Sequence, residues 1–317
     1  MPRVLALISA LSLVLVGLSA CGSDDESGNS GEISVSGEFG AEPTVKYDGR
    51  VERSDTEVDV LSEGDGDTVA AGDAVMAHYY VGNGYVGEKA ISTWDPAPQS
   101  GRVTSQVLEL GKESIPALKK AIIDQKVGSR VVVEASPEDA YGDQGNPTLF
   151  ISPGDTVVFV VDILAKLEPE IAKKTDAGAG RPVIKFAKGV PSSFDFSKAP
   201  AGAPRLQKIT LVQGKGDPVK KGEDLAMRYL GSVWGSNKVF DENYSKDITP
   251  FQIGAGSLIP AWDKLLVGVK AGSRVMLIVP SEFGYGEDGR GEDIKPGDDL
   301  VFVVDVLGST PASPQPV

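Results

Sequence analysis

The side chains that most often carry out chemistry in proteins are scarce in this sequence. Among 317 residues there is one Cys and one His, at Cys21 and His78. A structural zinc site, a disulfide or a Cys-His dyad needs more such residues than the chain holds, so we predict no metal site and no cofactor. A Ser-His-Asp hydrolase would depend on His78 alone. The alternative for His78 is a partly buried position in a strand-like run.

The spacing of Gly284, Gly286 and Gly289 satisfies the G-x-G-x-x-G pattern of nucleotide-binding loops. That pattern binds phosphate where a helix begins directly behind it. Residues 290–297 contain Gly, acidic residues and Pro instead, so we predict no dinucleotide site. The formal net charge of −14 also argues against nucleic acid as a partner, because such a surface repels phosphate backbones.

The N-terminus predicts export. A basic start at Met1–Arg3, an apolar run at Val4–Leu18 and the small residues that follow form a signal peptide pattern. The run of about 15 residues is shorter than the roughly 20 that span a membrane. Leu18–Cys21 resembles the lipobox of bacterial lipoproteins, in which the Cys carries the lipid; the alternative is an ordinary secretory signal with an incidental Cys. We expect a protein anchored through Cys21 to the outer face of the bacterial cytoplasmic membrane.

Most of the remaining chain is an internal repeat. Lys126–Val131 recurs as Lys270–Val275, and Val157–Leu164 recurs as Leu300–Leu307. Self-similarity of this kind indicates two copies of one domain, in keeping with a length beyond what one core usually serves. The predicted organisation is a signal peptide at residues 1–20, a lipidated Cys and flexible tether at 21–40, a first domain at 41–167, a linker at 168–179, a second domain at 180–308 and a disordered tail at 309–317.

Short strands dominate the pattern within each copy. Leu225–Leu230 and Arg274–Val279 are rich in β-forming residues and are bounded by turn signals. Gly64–Asp67 and Gly214–Asp217 are predicted hairpin turns at equivalent places. The one helix candidate begins at Pro260, a residue suited to the first turn of a helix. One short helix against many strands predicts an α+β fold with an antiparallel sheet in each domain.

Five motifs follow one another in the second copy, namely Arg228–Gly231, Lys238–Asp241, Leu258–Trp262, Phe283–Gly286 and Leu300–Phe302. Taken in this order, they resemble the FKBP-type peptidyl-prolyl cis-trans isomerases. The resemblance covers Leu206–Leu307 and implies an antiparallel half-barrel sheet wrapped around one short helix, with the substrate prolyl ring in an aromatic pocket between them. The chain would then hold two tandem FKBP-like domains.

The resemblance also implies a role for each residue of the pocket. Trp262 would form the floor, and Asp241 and Tyr285 would be the polar groups near the rotating imide. The backbone N–H of Ile259 would bind a substrate carbonyl. Taken singly, Trp262 could be a core residue, Tyr285 a loop aromatic and Asp241 a turn residue; their joint occurrence favours a site. The walls and rim would be Tyr229, Phe240, Phe302, Leu258 and Ile259.

The first copy departs from this pattern. Ala90–Ile91 stands where the second copy has Phe240–Asp241, and Leu118 stands at the position of Trp262. Either Tyr79 or Tyr80 matches Tyr229, and Trp94 is a possible substitute for the missing Trp. We therefore expect a degenerate first domain that holds substrate or acts as a spacer.

The expected function is peptidyl-prolyl isomerisation of exported polypeptides, mainly by the second domain. Rotation about an X-Pro bond breaks no covalent bond, so the lack of catalytic His, Cys and metal ligands does not count against it. The alternative is a non-catalytic module or holdase chaperone that binds Pro-containing segments. Binding of macrolides is implied by the resemblance alone.

Overall fold

The computed structural model describes residues 30–98, 101–111, 114–168, 171–203 and 205–315. The predicted signal peptide and Cys21 lie outside these ranges. Within them, no helix has the length and apolar character needed to cross a membrane. Two units of the same topology follow one another along the chain. Each has a two-stranded hairpin, then an antiparallel sheet of six strands with one short α-helix.

The elements of the first unit are β1 (Glu32–Ser36), β2 (Thr44–Asp48), β3 (Glu57–Ser62), β4 (Ala74–Asn83), β5 (Glu88–Ser92), β6 (Gln106–Glu109), α1 (Pro116–Ile122), β7 (Arg130–Ala135) and β8 (Val157–Lys166). The sheet has the strand order β3-β7-β8-β4-β5, and β6 pairs with the other end of β4. All neighbouring strands are antiparallel. Two 3₁₀ helices, Gly142–Gln144 and Pro147–Leu149, lie between β7 and β8.

The elements of the second unit are β9 (Val183–Ala187), β10 (Val190–Asp195), β11 (Gln207–Val212), β12 (Asp224–Val233), β13 (Val239–Glu242), β14 (Phe251–Gln252), α2 (Pro260–Leu265), β15 (Ser273–Val279) and β16 (Leu300–Thr310). Its sheet repeats the strand order of the first as β11-β15-β16-β12-β13, and β14 pairs with the other end of β12. The 3₁₀ helix Ser281–Phe283 follows β15. The predicted α+β fold of two tandem domains, each with an antiparallel sheet and a short helix, is confirmed.

Both faces of each sheet are covered, which explains why the central strands are almost continuously apolar. Along β15, Val275 and Leu277 pack with α2 on the inner face. Met276 and Ile278 point the other way and pack with the β9-β10 hairpin on the outer face. In the first domain the β1-β2 hairpin covers the outer face in the same manner. The inner face of each sheet is therefore the one that meets the helix.

The repeated Gly-Ser-Arg motif joins the sheet to the segments around it. The hydroxyl of Ser273 accepts a hydrogen bond from the N–H of Gly214 at 2.9 Å, and Ser129 does the same for Gly64. A Cβ atom at either glycine would clash with the opposing backbone, so only glycine fits there. The prediction of hairpin turns at Gly64–Asp67 and Gly214–Asp217 was wrong, because the strands on either side are not paired with each other. These segments are crossover loops that pack against the repeated motif.

The predicted tether at residues 21–40 includes a strand. Residues 30–40 are described, and Glu32–Ser36 pairs with Thr44–Asp48. Ile33 and Val35 alternate with polar residues and pack on the outer face of the first sheet. Two apolar side chains suffice here because the sheet supplies the rest of the core, which the composition of the segment alone does not reveal.

The predicted disordered tail at residues 309–317 is ordered where it is described. Ser309 and Thr310 end β16, and Ser313 is only 6% exposed. The amide of Gln315 exchanges two hydrogen bonds of 3.0 Å with the backbone of Val103 in the first domain. The tail buries little apolar surface of its own, but the first domain provides partners for its polar groups.

The two domains pack against each other. A buried apolar cluster contains Met76 of the first domain, Leu167 at the start of the linker and Leu307 of the second domain. Arg228 forms an ion pair of 3.1 Å with Glu109 across the boundary. The predicted linker at residues 168–179 also takes part, since its Ala177 is buried against the outer face of the second sheet.

Candidate active site

The inner face of the second sheet carries a group of aromatic side chains around Trp262. This indole lies in the first turn of α2 and is 6% exposed. Tyr229 from β12, Phe302 from β16 and Phe251 from β14 meet it nearly edge to face, with ring centroids 5.0, 5.3 and 6.0 Å away. Phe240 in turn packs at 5.7 Å from Phe302. The structure thus brings the predicted floor and walls together, as edge-to-face contacts favour.

A hydrogen bond joins the two polar groups on this wall. The phenol of Tyr229 donates to Oδ2 of Asp241 at 2.6 Å. Burial first, and the Asp241 carboxylate second, raise the pKa of Tyr229 well above its usual range, so the phenol stays protonated as a donor. The other carboxylate oxygen accepts from the N–H of Glu242 at 2.9 Å and lies 3.5 Å from Nζ of Lys246. Asp241 therefore stands at the solvent edge of the pocket while Tyr229 lies inside it.

Asn243 fixes the strand that carries Tyr229. Its Oδ1 accepts from the backbone N–H of Tyr229 at 2.7 Å, and its Nδ2 donates to the carbonyl of Met227 at 2.9 Å. The side chain is 6% exposed. Because β13 ends at Glu242, this amide continues the pairing between the two segments where the strand stops. The position of the phenol thus depends on Asn243.

Tyr285 follows the 3₁₀ helix after β15 and packs against the inner core. The turn around it is closed by the N–H of Gly286, which donates to the carbonyl of Ser281 at 2.9 Å. The guanidinium of Arg290 lies over the Tyr285 ring, 5.2 Å from its centroid. This contact restrains a ring that otherwise stands at the edge of the pocket.

Leu258 and Ile259 precede α2 and are half-buried against the same core. The carbonyl of Ile259 accepts from the N–H of Trp262 at 3.0 Å. Among the described residues the N–H of Ile259 has no acceptor. Asp263 holds the loop before them, because its two oxygens accept from the N–H groups of Gly254 and Gly256 at 2.7 and 2.8 Å.

The strand register identifies the equivalent positions in the first domain. Tyr79 lies opposite Val161 as Tyr229 lies opposite Val304, so Tyr79, not Tyr80, matches Tyr229. Ile91 pairs with Val81 where Asp241 pairs with Gly231. The sequence alignment of Ala90–Ile91 with Phe240–Asp241 is therefore the structural one.

The first cleft lacks most of the aromatic group. Ile91 is 41% exposed at the site of the carboxylate, and Leu108 pairs with Val75 where Phe251 pairs with Leu225. Leu118 lies against the inner core beside Tyr141. Burial raises the pKa of Tyr79, but no carboxylate bonds its phenol within the described residues. What remains is an apolar cleft with two phenols.

Trp94 does not replace the missing indole. It lies on the outer face of the first sheet with Tyr80 and stacks on the ring of His78 at 4.8 Å. His78 is 2% exposed; its Nδ1 lies 2.8 Å from the Thr93 hydroxyl and its Nε2 lies 2.6 Å from the Ser313 hydroxyl. Burial lowers the pKa of His78 to about 4, and no carboxylate of the described ranges hydrogen-bonds its ring. Through Ser313 this buried residue joins the first domain to the C-terminal segment.

Sequence reasoning missed three contributors to the second site, namely Phe251, Asn243 and Asp263. Phe251 could have been found from the sequence, since it is an aromatic residue in the second copy where the first copy has Leu108. The other two, Asn243 and Asp263, act through side-chain bonds to backbone groups of a preceding strand or loop. Such bonds leave no periodic pattern in a sequence.

The geometry defines a class of site. It is an apolar, aromatic pocket with a phenol and a carboxylate at its edge, and no nucleophile or metal cluster accompanies it among the described residues. Such a pocket binds an apolar ring and changes its conformational preferences without making or breaking covalent bonds.

Comparison with known proteins identifies the family. The sequence profile described as "FKBP-type peptidyl-prolyl cis-trans isomerase" matches residues 66–164 and 215–307, which together exceed half of the chain. This chain therefore belongs to the FKBP-type peptidyl-prolyl cis-trans isomerases, an enzyme family, and carries the family domain twice.

Individual relatives match parts of the chain. An FK506-binding protein of Streptomyces anulatus is 36% identical over 100 residues, which are 31% of this chain and 80% of the relative. A probable FKBP-type peptidyl-prolyl cis-trans isomerase of Haemophilus influenzae is 34% identical over 149 residues, 47% of this chain and 58% of the relative. The isomerase FKBP53 of Arabidopsis thaliana is 30% identical over 102 residues, but the chain spans only 21% of its length.

Solved structures are also similar. The three FKBP domains of wheat FKBP73 cover 80% of this chain and 94% of that one, with 17% identity and a TM-score of 0.34. The structure titled AtFKBP13 covers 35% of this chain and 98% of its own, with 28% identity and a TM-score of 0.31.

Proposed function

We propose that this protein accelerates cis-trans isomerisation of X-Pro peptide bonds and that the second domain does so. The observation that carries the proposal is the aromatic group around Trp262 together with the Tyr229–Asp241 hydrogen bond. Asp241 and Tyr285 would act near the rotating imide, with the prolyl ring against Trp262 and between Tyr229, Phe240 and Phe302. Leu258 and Ile259 would form the rim.

The chemistry demands little from titratable groups. A planar amide is more dipolar than a twisted one, so a pocket that excludes water disfavours the planar ground state relative to the twisted transition state. The uncatalysed barrier is about 18–20 kcal/mol. Lowering it by about 5–8 kcal/mol gives rate gains of roughly 10⁴ to 10⁶. The phenol of Tyr229, kept protonated by its raised pKa, is an available donor at the pocket wall.

The test is an NMR-exchange or protease-coupled assay of a short X-Pro peptide with the full chain. Trp262→Leu installs the residue that the first domain carries at this position, and we expect it to lose most of kcat/KM. The matched control is Leu118→Ala, which truncates the equivalent side chain of the first cleft and should leave the rate unchanged. A chain that binds the peptide without accelerating its exchange would contradict the proposal.

The alternative is a binding module that holds Pro-containing segments without isomerising them. The first cleft favours this for its own domain, because it keeps Tyr79, Tyr141 and Phe159 around an apolar pocket but lacks the carboxylate. Peptide binding that survives Trp262→Leu and is lost on Tyr141→Ala would assign the holding role to the first domain. Macrolide binding by the second pocket would compete with peptide there.

We propose further that the clients are exported polypeptides and that a lipid on Cys21 holds the protein at the outer face of the cytoplasmic membrane. The support is the signal-like pattern of residues 1–20 and the place of the only Cys directly after it. Labelling of the full chain with a radioactive fatty acid in a bacterial host tests this. Cys21→Ser should abolish the label; a label that persists would point to another attachment, and none in the wild type to an ordinary signal peptide.

A further inference from the structure

The outer face of the second domain contains a cavity of about 590 Å³. It lies on the opposite side of the sheet from the aromatic pocket, because its floor includes Ile278, which faces away from α2. Its walls come from the described part of residues 171–206, a segment here called the basic extension. We call this cavity the extension groove; it is lined by Ala179–Arg181, Lys198–Pro200, Arg205, Gln207 and Ile278.

Three cationic side chains and no carboxylate line the extension groove. Within the described ranges, Arg181, Lys198 and Arg205 form no ion pair. The two acidic residues of the basic extension are engaged elsewhere. Asp176 accepts from the N–H of Gly178 at 2.7 Å, and Asp195 pairs with Lys185 at 3.3 Å. No carboxylate of the basic extension itself therefore pairs with the cations of the groove.

The net charge of the basic extension is opposite in sign to that of the whole protein. The basic extension has seven Lys and Arg against two Asp and Glu, while the chain as a whole has a net charge of −14. The equivalent segment of the first domain, residues 30–56, has three Lys and Arg against six Asp and Glu. Both segments cover the outer face of a sheet, so covering the sheet does not require cations. The need to cover the sheet therefore does not explain the positive charge of the second segment.

The walls of the groove are fixed in place. Nε1 of Trp234 donates to the carbonyl of Pro200 at 2.9 Å, and the N–H of Ala203 donates to Oδ2 of Asp299 at 2.9 Å. The other oxygen of Asp299 accepts from the N–H of Ser281 at 3.0 Å, so this carboxylate is bound to backbone donors. A ligand would enter a largely formed site.

We propose that the extension groove binds a phosphate-bearing ligand with at least two negative charges. Guanidinium groups match the geometry of phosphate oxygens and form short, charge-assisted hydrogen bonds with them. A volume near 590 Å³ falls within the roughly 300–1,000 Å³ of small-molecule sites and exceeds what one phosphate fills. The amide of Gln207 and the apolar surface of Pro200 and Ile278 would contact the organic part of the ligand.

The test is a calorimetric titration of the full chain with inorganic pyrophosphate at physiological ionic strength. The groove variant is Arg181→Gln/Lys198→Gln/Arg205→Gln. The matched control, Lys173→Gln/Lys185→Gln/Lys188→Gln, removes the same charge from the same extension but leaves the groove lining intact. We expect the groove variant to lose about tenfold or more in affinity, as the loss of a charge-assisted contact implies, and the control to change less than about twofold. Equal losses in the two variants, or no binding by the wild type, would overturn the proposal.

A second arm separates two sources of the phosphate. Flotation with vesicles of phosphatidylglycerol and phosphatidylcholine, against vesicles of phosphatidylcholine alone, detects a lipid headgroup as ligand. Binding lost in the groove variant supports the lipid source, whereas pyrophosphate binding without flotation supports a soluble one. The isomerase rate of the groove variant should equal that of the wild type, because the aromatic pocket lies on the other face of the sheet. Failure of this proposal therefore leaves the proposed catalytic function untouched.

Discussion

The clefts of the two domains share one strand register but present different side chains. In the second, Trp262 is surrounded by aromatic rings and Tyr229 is bonded to Asp241. In the first, Leu118 and Ile91 occupy the same places on the same elements. The residues that maintain the fold are therefore separate from those that form the pocket, and the second set can be lost while the first remains.

The outer faces of the two sheets, in contrast to the clefts, share their main feature, which is a buried Arg–Asp pair. Arg130 pairs with Asp162 through two hydrogen bonds of 2.6 and 2.7 Å, and Arg274 pairs with Asp305 through two of 2.6 Å. Arg130 also donates to the carbonyls of Gly37 and Ala41 at 2.9 and 2.6 Å and so fixes the β1-β2 hairpin. Arg274 reaches its own extension by one longer bond of 3.4 Å.

The largest effect should follow from breaking these pairs. Arg130→Ala leaves a buried carboxylate without its partner, which typically costs about 3–5 kcal/mol. Each Asp keeps one donor after the change, since the N–H of Gly40 donates to Asp162 at 2.7 Å and the phenol of Tyr244 to Asp305 at 2.8 Å. Arg274→Ala should cost less, because fewer backbone hydrogen bonds are lost. Urea unfolding followed by Trp fluorescence measures both, since Trp94 lies 5.7 Å from the Arg130 guanidinium. A greater loss for Arg274→Ala would mean that the hairpin contacts add no stability.

The second comparison concerns the strand position that His78 and Arg228 share. Both lie opposite a buried Asp, at Asp162 and Asp305. The pKa of His78 is lowered to about 4 by burial, whereas an unfolded His has a pKa of about 6.5. Between these values the unfolded state binds more protons, so stability rises with pH. The contribution of His78 to the free energy of unfolding is fully present above about pH 6.5, and up to about 3 kcal/mol of it is lost as the pH drops to 4.

The measurement is the difference in unfolding free energy between wild type and His78→Gln across this pH range. Taking the difference cancels other titrating groups, including Glu134, whose pKa is raised by burial. We expect the pH-dependent difference to disappear above about pH 6.5. We also expect His78→Ala to leave isomerase turnover unchanged. Loss of isomerase turnover in a folded variant would mean that the packing of His78 between the domains supports the second cleft.

The sequence predicted the duplication and the sheet because both depend on local patterns. The repeat of Lys126–Val131 as Lys270–Val275 and the alternating pattern of the strands can each be recognised from the residues of the segment itself. The tail was mispredicted for the opposite reason, since Ser313 and Gln315 are held by His78 and Val103 of the other domain. Contacts between segments that are far apart in the chain have no signature in either segment.

The residues of the candidate site also fall into those that the sequence predicts and those that only the structure reveals. Trp262, Tyr229 and Asp241 follow from motifs, and the structure places them together. Asn243 and Asp263 support the site through backbone hydrogen bonds and resemble ordinary polar residues in the sequence. The strand register decided between Tyr79 and Tyr80, and the packing of Trp94 with Tyr80 placed the indole on the outer face.

Asp241→Ala tests what the carboxylate, which the first cleft lacks, contributes to the second cleft. Removing the carboxylate breaks the bond to Tyr229, and a hydrogen bond to a charged group is worth about 1.5–3 kcal/mol. We expect kcat/KM to fall by about 10- to 100-fold, with little loss of stability since Asp241 is solvent-exposed. In the same variant the pKa of Tyr229 should fall towards its usual value, while burial keeps it raised.

The matched control is Ile91→Ala, at the equivalent position of the first cleft. Its side chain is exposed and bonds no phenol, so the isomerase rate should not change. If both variants lost activity equally, the first cleft would have to take part in turnover. If neither did, the Tyr229–Asp241 bond would be structural only.

The smallest effect should come from Lys246→Gln, which separates two ways in which Asp241 could act. Lys246 lies 3.5 Å from Asp241, and both side chains are largely in solvent, at 59% and 47% exposure. An exposed pair of this kind contributes about 0–1 kcal/mol and is screened by salt. We expect less than about a twofold change in kcat/KM in the isomerisation assay. A loss as large as that of Asp241→Ala would mean that Asp241 acts through the Lys246 charge; a negligible one assigns its effect to the phenol of Tyr229.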